Sequence, residues 1–339
     1  MKVDDLGVIL QEYWVDALDL RIINALQIRP RAPWTQLAPI LGADAATLNR
    51  RWQQLSEHGI AWITTFDWNA WKAAALVEIN CHSGANTQVA LALAESPEAI
   101  AVDLTAGGRD IVATVAASDS HALGKYLLDE LPKVPSVASV RSHPIARTLI
   151  DGRSWRVRAL DAHESARVAG LPLPATSRSA TRNPEIERAM LALLNRDGRA
   201  SATRIASELE QNPRHIRELL ALMQRSGALI QRTDLARSRS GWPVSAWHFL
   251  RVPAAKLEGI GGRLENLPEV RLVSHTVGPH DLIMDVWLKD LSQVQRLEQA
   301  LEIRLAGLVI SDRSVVLRTV KQMGQILDDQ GRSMGRTRL

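Results

Sequence analysis

Residues 37–60 read Leu-Ala-Pro-Ile-Leu-Gly-Ala-Asp-Ala-Ala-Thr-Leu-Asn-Arg-Arg-Trp-Gln-Gln-Leu-Ser-Glu-His-Gly-Ile. Leu37, Ile40 and Leu41 fall at helical spacing, Gly42 stops that helix, and Asp44 is a good N-cap for the next, whose inner stripe is Leu48, Trp52 and Leu55. Leu18, Ile22, Ile23 and Leu26 supply another stripe upstream, so the spacing predicts three short helices with a tight turn between the last two. Pro39 falls inside the second, where it removes a backbone hydrogen bond and favours a kink. Gly59 provides a C-terminal stop, and the apolar run Ile60 to Phe66 suggests the start of a wing strand.

The pattern returns. Leu26, Arg31, Leu37-Ala38, Leu48, Leu55 and Gly59 recur as Leu194, Arg199, Ile205-Ala206, Ile216, Met223 and Gly227, each 168 positions later. Glu210 and Asn212 take the places of Gly42 and Asp44, with Pro213 at the favoured first helical position, and Ala228 to Gln231 begins a second wing. Further on, Thr105-Ala-Gly107-Gly-Arg-Asp110 recurs as Thr276-Val-Gly278-Pro-His-Asp281, and Arg147-Thr148-Leu149 as Arg318-Thr319-Val320, at an offset of 171. The chain reads as a tandem duplication of a unit of roughly 165–170 residues. Asp161 to Pro184, rich in Pro, Ser, Ala and Arg, reads as a linker.

The second part of each unit alternates strand and helix signals. Strands are predicted near 73–80, 99–106, 110–117 and 137–150 with helices near 87–95 and 120–131; the second copy places strands near 245–252, 270–276, 281–288 and 308–320, with helices near 254–266 and 291–302. Gly259, Gly261 and Gly262 weaken the first helix of that copy. The order βαββαβ implies an antiparallel sheet with both helices on one face, the ferredoxin-like arrangement. The fold class is therefore α+β: two winged helix-turn-helix domains (1–66, 185–235) and two ferredoxin-like domains (67–155, 236–325) in tandem, with a linker (156–184) and a basic tail (326–339).

Composition fits a multidomain globular chain. At 339 residues, more than one core is expected, and 46% hydrophobic with 23% charged residues excludes a disordered or collagen-like polypeptide. No stretch approaches the ~20 apolar residues of a membrane span, and Met1-Lys2-Val3-Asp4-Asp5 lacks the character of a secretory leader, so a cytoplasmic protein is expected. Cys81, the sole cysteine, reads as a small buried residue that forms no internal disulfide. A net charge of +4 permits DNA as a partner without demanding it, and the ten Trp are too scattered for a single-strand stacking platform. No metal-ligand spacing, Ser/His/Asp arrangement, Walker motif or dinucleotide glycine motif is found, so neither metal nor cofactor is expected.

A helix-turn-helix carrying Gly42-x-Asp-x-x-Thr47-Leu-x-Arg50-Arg51-x-x-x-Leu55-x-x-x-Gly59, followed by βαββαβ with Gly-x-x-Asp between its middle strands, resembles the Lrp/AsnC family of transcription regulators, twice over. The resemblance implies a winged DNA-binding domain and a ligand-sensing RAM domain that dimerises through its sheet and binds amino acids at contacts between dimers. It further implies a regulator, with no enzymatic role, whose partners are double-stranded DNA, a small-molecule effector such as an amino acid, and other copies of the chain through RAM contacts.

A recognition helix needs an apolar inner stripe and short or hydrogen-bonding residues outside. Ala46, Thr47, Asn49 and Arg50 meet that need in the first copy; Arg51 has two readings, a packing salt bridge or a phosphate contact. In the second copy Arg214, His215 and Arg217 are the DNA candidates, while Glu218 and Leu219 replace Arg50 and Arg51 and oppose binding. For the effector, the candidates are Gly107, Arg109 and Asp110 in one loop and Gly278, His280 and Asp281 in the other; each Asp is equally readable as a turn-stabilising residue. The two RAM domains have two possible arrangements, packing on each other within one chain or each on its counterpart in another. A rival reading comes from sirohaem decarboxylases, which share this architecture and require a large pocket with clustered basic and His or Tyr side chains. A nucleoid-architectural DNA-binding protein is a third.

Overall fold

Local sequence signals start the helices of the first unit. Asp16 opens α1 (Ala17–Ile28) with a capping box shared with Asp19, α2 (Trp34–Leu41) runs through Pro39 and ends at Gly42 in the left-handed region, and Asp44 caps α3 (Ala45–Glu57). The computed structural model describes residues 13–66, 71–175 and 182–336. The first unit continues with β1 (Ala61–Phe66), β2 (Ala73–Cys81), α4 (Asn86–Glu95), β3 (Ala99–Thr105), β4 (Ile111–Ala117), α5 (Ser120–Lys125) prolonged by a π turn to Glu130, and β5 (Val137–Ile150).

After α6 (Ala162–Ala169), the second unit follows the same order. It comprises α7 (Pro184–Arg196), α8 (Ala202–Glu208), α9 (Pro213–Ser226), β6 (Ile230–Leu235), β7 (Val244–Arg251), α10 (Ile260–Leu264), β8 (Val270–Thr276), β9 (Leu282–Leu288), α11 (Gln293–Arg304) and β10 (Val309–Gln322). Two short strands, β11 (Gln325–Leu327) and β12 (Ser333–Arg336), extend the edge beside β10. Only five residues of the glycine-weakened helix, α10, are α-helical.

Strand order is β3-β4-β2-β5 in the first unit and β8-β9-β7-β10 in the second, antiparallel throughout, which is the ferredoxin-like order in each. The long last strands cross between the units: β5 pairs with β2 and β8, and β10 with β7 and β3. Eight strands thereby close into a ring. The two crossings share one register down to their irregularities, Ile145 and Arg147 facing Thr276 and His275 just as Val316 and Arg318 face Thr105 and Leu104. Helices cover the outside over two apolar cores, and Leu76, Val112, Trp247, Phe249, Ile283 and Val316 fill the middle of the ring.

Three sequence expectations need correction. First, β1 and β6 form no wings. Among the described residues they pair only with each other, Thr64 facing Arg232, two residues 168 apart, so a pseudo-two-fold axis passes between them. A lone strand must satisfy its backbone groups somewhere, and its repeat offers the matching edge. Second, the 156–184 linker is in part structured: Trp155, Val157, Leu160 and Val168 join the first helix-turn-helix core, and α6 is started by an Asp161/Glu164 capping box. Arg21 pairs with Glu164, and Arg29 donates to the Ala169 carbonyl at 2.6 Å, fixing both ends of α6. Third, the 326–339 tail holds β12, and Ser333 N–H donates to Gly59 O at 2.7 Å. A Cβ on Gly59 would lie 2.2 Å from Ser333 O, so this close approach requires glycine. Of the two RAM arrangements left open by the sequence, the strands adopt the one within a single chain, β5 pairing with β8 and β10 with β3. Among the described residues no helix is long and apolar enough to cross a membrane.

Candidate DNA interface and ligand-sensing sites

The two helix-turn-helix modules are tied to each other at the pseudo-axis. Arg31 donates to Gly198 O (2.5 Å) and Ala200 O (2.7 Å), and Arg199 donates to Pro30 O (2.6 Å) and Ala32 O (2.9 Å). Every atom in one set is 168 residues from its counterpart in the other. Thr65 Oγ1 to Leu194 O and Thr233 Oγ1 to Leu26 O, both 2.9 Å, repeat the exchange beneath. Burial lowers the two guanidiniums to about 10 and about 9, which leaves both charged at neutral pH. Arg199 also stacks on Trp34, with its guanidinium carbon 4.0 Å from the ring centre.

This frame presents α3 and α9. Ala46 and Arg50 are exposed on α3, with Thr47 and Asn49 half-buried beside them. Thr47 is engaged in the cap: its amide and hydroxyl both donate to Asp44, at 2.9 and 2.7 Å. Arg51 takes the packing reading and leaves the DNA face, because its guanidinium bridges Asp16 (2.6 Å) and buried Asp19 (3.1 Å), with Tyr13 also donating to Asp19. On α9, Arg214 and Arg217 are exposed and His215 half-buried, while Leu219 sits in the module's core. Glu218 accepts from Arg214 Nε at 3.3 Å, so a cation one turn away offsets its charge.

In the Gly-x-x-Asp loops both aspartates make the contacts of the turn-stabilising reading. Asp110 accepts the Cys81 amide (2.8 Å) and the Asn86 side chain (2.9 Å), and Asp281 accepts the Val252 amide (2.8 Å), so both carboxylates clamp the end of their unit's first strand. Gly107 and Gly278 let the loops approach the other unit closely: a Cβ would sit 3.4 Å from Arg313 O and 3.3 Å from His143 Nδ1, respectively. Arg109 is buried and fully engaged, by Glu78 (2.5 Å), Ser314 (2.6 Å) and Asp312 (2.6 Å), over the Phe249 ring at 3.9 Å. His143 Nε2 meets the other Glu78 oxygen at 2.5 Å. Burial opposes ionisation of Glu78, but the His143 bond and the Arg109 charge prevail and hold the carboxyl at about 2. His280 lies 5.2 Å from the Phe249 ring and 5.6 Å from His143; burial, then His143, pushes its pKa down, so it is neutral at pH 7. Gly107, Arg109, Gly278 and His280 thus lie where the two units meet, while Asp110 and Asp281 brace their own.

A cavity of about 670 Å³ lies elsewhere, inside the ring at the end facing the β1–β6 ribbon. Its wall includes the connections that lead into each RAM domain, Trp71–Lys72 before β2 and Arg237–Ser238 before β7. Asp103 is buried there, accepting from Trp247 Nε1 (3.0 Å) and Thr319 Oγ1 (2.6 Å); burial raises its pKa to about 6 against those bonds. Burial likewise raises Asp285, which accepts from Ser245 at 3.0 Å. Arg271, lowered to about 10 by burial, donates to Asp234 at 2.7 Å. The sequence reading passed over these residues, although Asp103, Arg271 and Asp285, charged residues inside strongly apolar strands, were a visible signal.

Against known proteins, residues 74–155 and 249–326 match the Lrp/AsnC ligand binding domain, and residues 15–56 the AsnC-type helix-turn-helix domain. An uncharacterized HTH-type transcriptional regulator of Pyrococcus abyssi is 28% identical over 141 residues, covering 41% of this chain and 89% of that protein. The HTH-type transcriptional regulator FL11 of Pyrococcus horikoshii is 27% identical over 138 residues, 40% of this chain and 91% of its own. The solved structure of the siroheme decarboxylase NirDL with an iron-uroporphyrin III analogue covers 91% of this chain and 93% of its own, at 13% identity and a TM-score of 0.56, a likeness of fold alone.

Proposed function

We propose, from the premise of a chain assembled from Lrp/AsnC-family domains, that it is a one-component transcription regulator in which a single polypeptide supplies both halves of a DNA-binding dimer. The observation that carries this reading is the reciprocal Arg31/Arg199 exchange, which fixes two recognition helices about one pseudo-axis. Ala46, Thr47, Asn49 and Arg50 meet one half-site, and Arg214, His215 and Arg217 the other. Because the faces differ, the operator is asymmetric. A small-molecule effector, an amino acid or related metabolite, acts through the RAM ring.

Selection of binding sites from random duplexes tests this. The expected outcome is an asymmetric site whose one half is lost in Asn49→Ala/Arg50→Ala and whose other half is lost in Arg217→Ala, with affinity falling as salt rises through counterion release. A palindromic site affected equally in both halves by both variants would overturn the single-chain dimer.

The enzymatic rival draws on the NirDL fold and on the cation-rich cavity. Its pocket calls for clustered basic side chains together with His or Tyr. Among the described residues, none of the nine His or two Tyr lines the cavity, which favours the regulator.

A further inference from the structure

Equivalent positions on two sides of the cavity are filled differently. On one side Trp287 packs edge-on against Trp155, 4.8 Å between ring centres, with the Arg271 guanidinium 3.8 Å above it. Trp242 completes that cluster, which is continuous with the first helix-turn-helix core. On the facing side the positions 171 residues earlier are Ala116 in place of Trp287 and Ile100 in place of Arg271, and all four residues line the cavity. The open space therefore lies between a bulky wall, Trp287 with Arg271, and its smaller counterpart, Ala116 with Ile100. Among the described residues, the second helix-turn-helix core closes on itself and sends no side chain into it.

The wall carries both signs of charge, with Asp103, Asp151, Asp285, Asp328 and Asp329 beside a larger number of Arg and Lys. Trp71, Ile100, Trp247 and Leu272 give it flat apolar faces. Among the described residues, three guanidinium nitrogens of the lining, Arg237 Nη1, Arg271 Nε and Arg318 Nε, are buried with no hydrogen-bond partner, although Arg271 pairs with Asp234 and Arg318 with Asp329 through their Nη2 atoms; Arg271 as a whole is only 5% exposed. Buried N–H donors left unmatched cost free energy that an acceptor from outside recovers. An anionic group carried on a planar apolar body supplies both complements, and the volume is in the range of small-molecule sites. We infer that the cavity is a binding site, one per chain, for an organic anion with a flat apolar body, larger than a free amino acid. This deepens the regulator reading by naming the effector's class and site, and because the connections into both RAM domains form its wall, an occupant bears directly on how the two modules are held.

The test needs no DNA, so its failure is separable from failure of the DNA-binding proposal. The full chain is titrated with 1-anilinonaphthalene-8-sulfonate, whose fluorescence rises in apolar surroundings, and in parallel with N-phenyl-1-naphthylamine, which has the same rings and no charge. Expected are saturable binding of the sulfonate at one per chain, at least ten-fold weaker binding of the neutral amine, and a ten-fold or greater weakening of the sulfonate in Arg237→Met with no fall in melting temperature. Ala116→Trp, copying the bulky wall, abolishes the site. Equal binding of the two probes, sulfonate affinity in Arg237→Met within two-fold of the parent, or no saturable binding at all would overturn the proposal.

Discussion

Glu78 and Phe249 stand at the same point of the two RAM domains, 171 residues apart, and solve the same packing problem with opposite chemistry. In the first domain the buried carboxylate gathers Arg109 and His143, with Asp312 completing the set across the unit boundary. In the second, Phe249 lies against His280 and His143 and receives Arg109 over its ring. The backbone ladder is the same on both sides, down to the bulges, so it sets the frame and leaves the side chains free to diverge. One side is an ion network; the other is an uncharged ring packed against the same guanidinium and imidazole groups.

The sharpest way to break that contrast is to delete each member. Glu78→Ala leaves Arg109 and His143 buried without their carboxylate and is expected to cost about 3–5 kcal/mol. Phe249→Ala costs a similar ~3–5 kcal/mol through an unfilled cavity. Only the first should depend on pH. Because the folded-state pKa of Glu78, about 2, lies below its ordinary 4.5, its contribution is complete above pH 4.5 and is lost as pH falls from there towards 2. Denaturation curves should show Glu78→Gln without that acid-side loss, and Phe249→Ala with it intact.

The pseudo-axis offers a second test. Arg31→Ala and Arg199→Ala each orphan two carbonyls and should each cost about 1.5–3 kcal/mol. Arg199→Ala should cost ~1 kcal/mol more, because Arg199 stacks on Trp34 while the equivalent place beneath Arg31 holds Ala202. Equal losses in urea melts would remove the stacking contribution. At the cavity the sign of the pH effect reverses. Asp103, raised to about 6, favours the fold below its ordinary 3.8 and loses that advantage as pH rises through 6. Asp103→Asn, keeping one of two accepted hydrogen bonds, is expected to gain ~1 kcal/mol at pH 7 and nothing at pH 4. The smallest effect concerns the turn before each recognition helix. Gly42 has φ +72°, and its counterpart Glu210 holds φ +53° with a side chain. Glu210→Gly should raise stability by about 1 kcal/mol, roughly 2 °C in a thermal melt, while Gly42→Ala lowers it by a similar amount.

What the sequence made legible is what local rules govern. Gly42, Asp44, Asn212 and Pro213 announced helix ends, and the period-two runs of β2 to β5 located those strands within a residue or two. Partnership was hidden. That β1 would find β6 rather than fold into a wing depends on a neighbour more than 160 residues away, and nothing within Ile60 to Phe66 encodes it. α6 was missed for another reason: the Pro- and Ser-rich residues that follow outweighed the Asp161-x-x-Glu164 capping box, a readable signal. The cavity was illegible because it follows from a missing bulk, Ala116 where its repeat has Trp287, and an absence has meaning only once the ring is closed.

That closure also governs how the protein can be made. β3 ends at Thr105, but its outer edge pairs with β10, which ends at Gln322. At ribosomal rates of about 5–20 residues per second, the first RAM domain waits ~10–40 s with two open edges, on β3 and β5, before its partner strands exist. An antiparallel edge left bare for that long is a template for other nascent chains. The long β5 goes some way to protecting itself: Arg141 and Arg147 charge it, and Pro144 withholds a backbone donor, until β8 and β10 arrive to complete the ring.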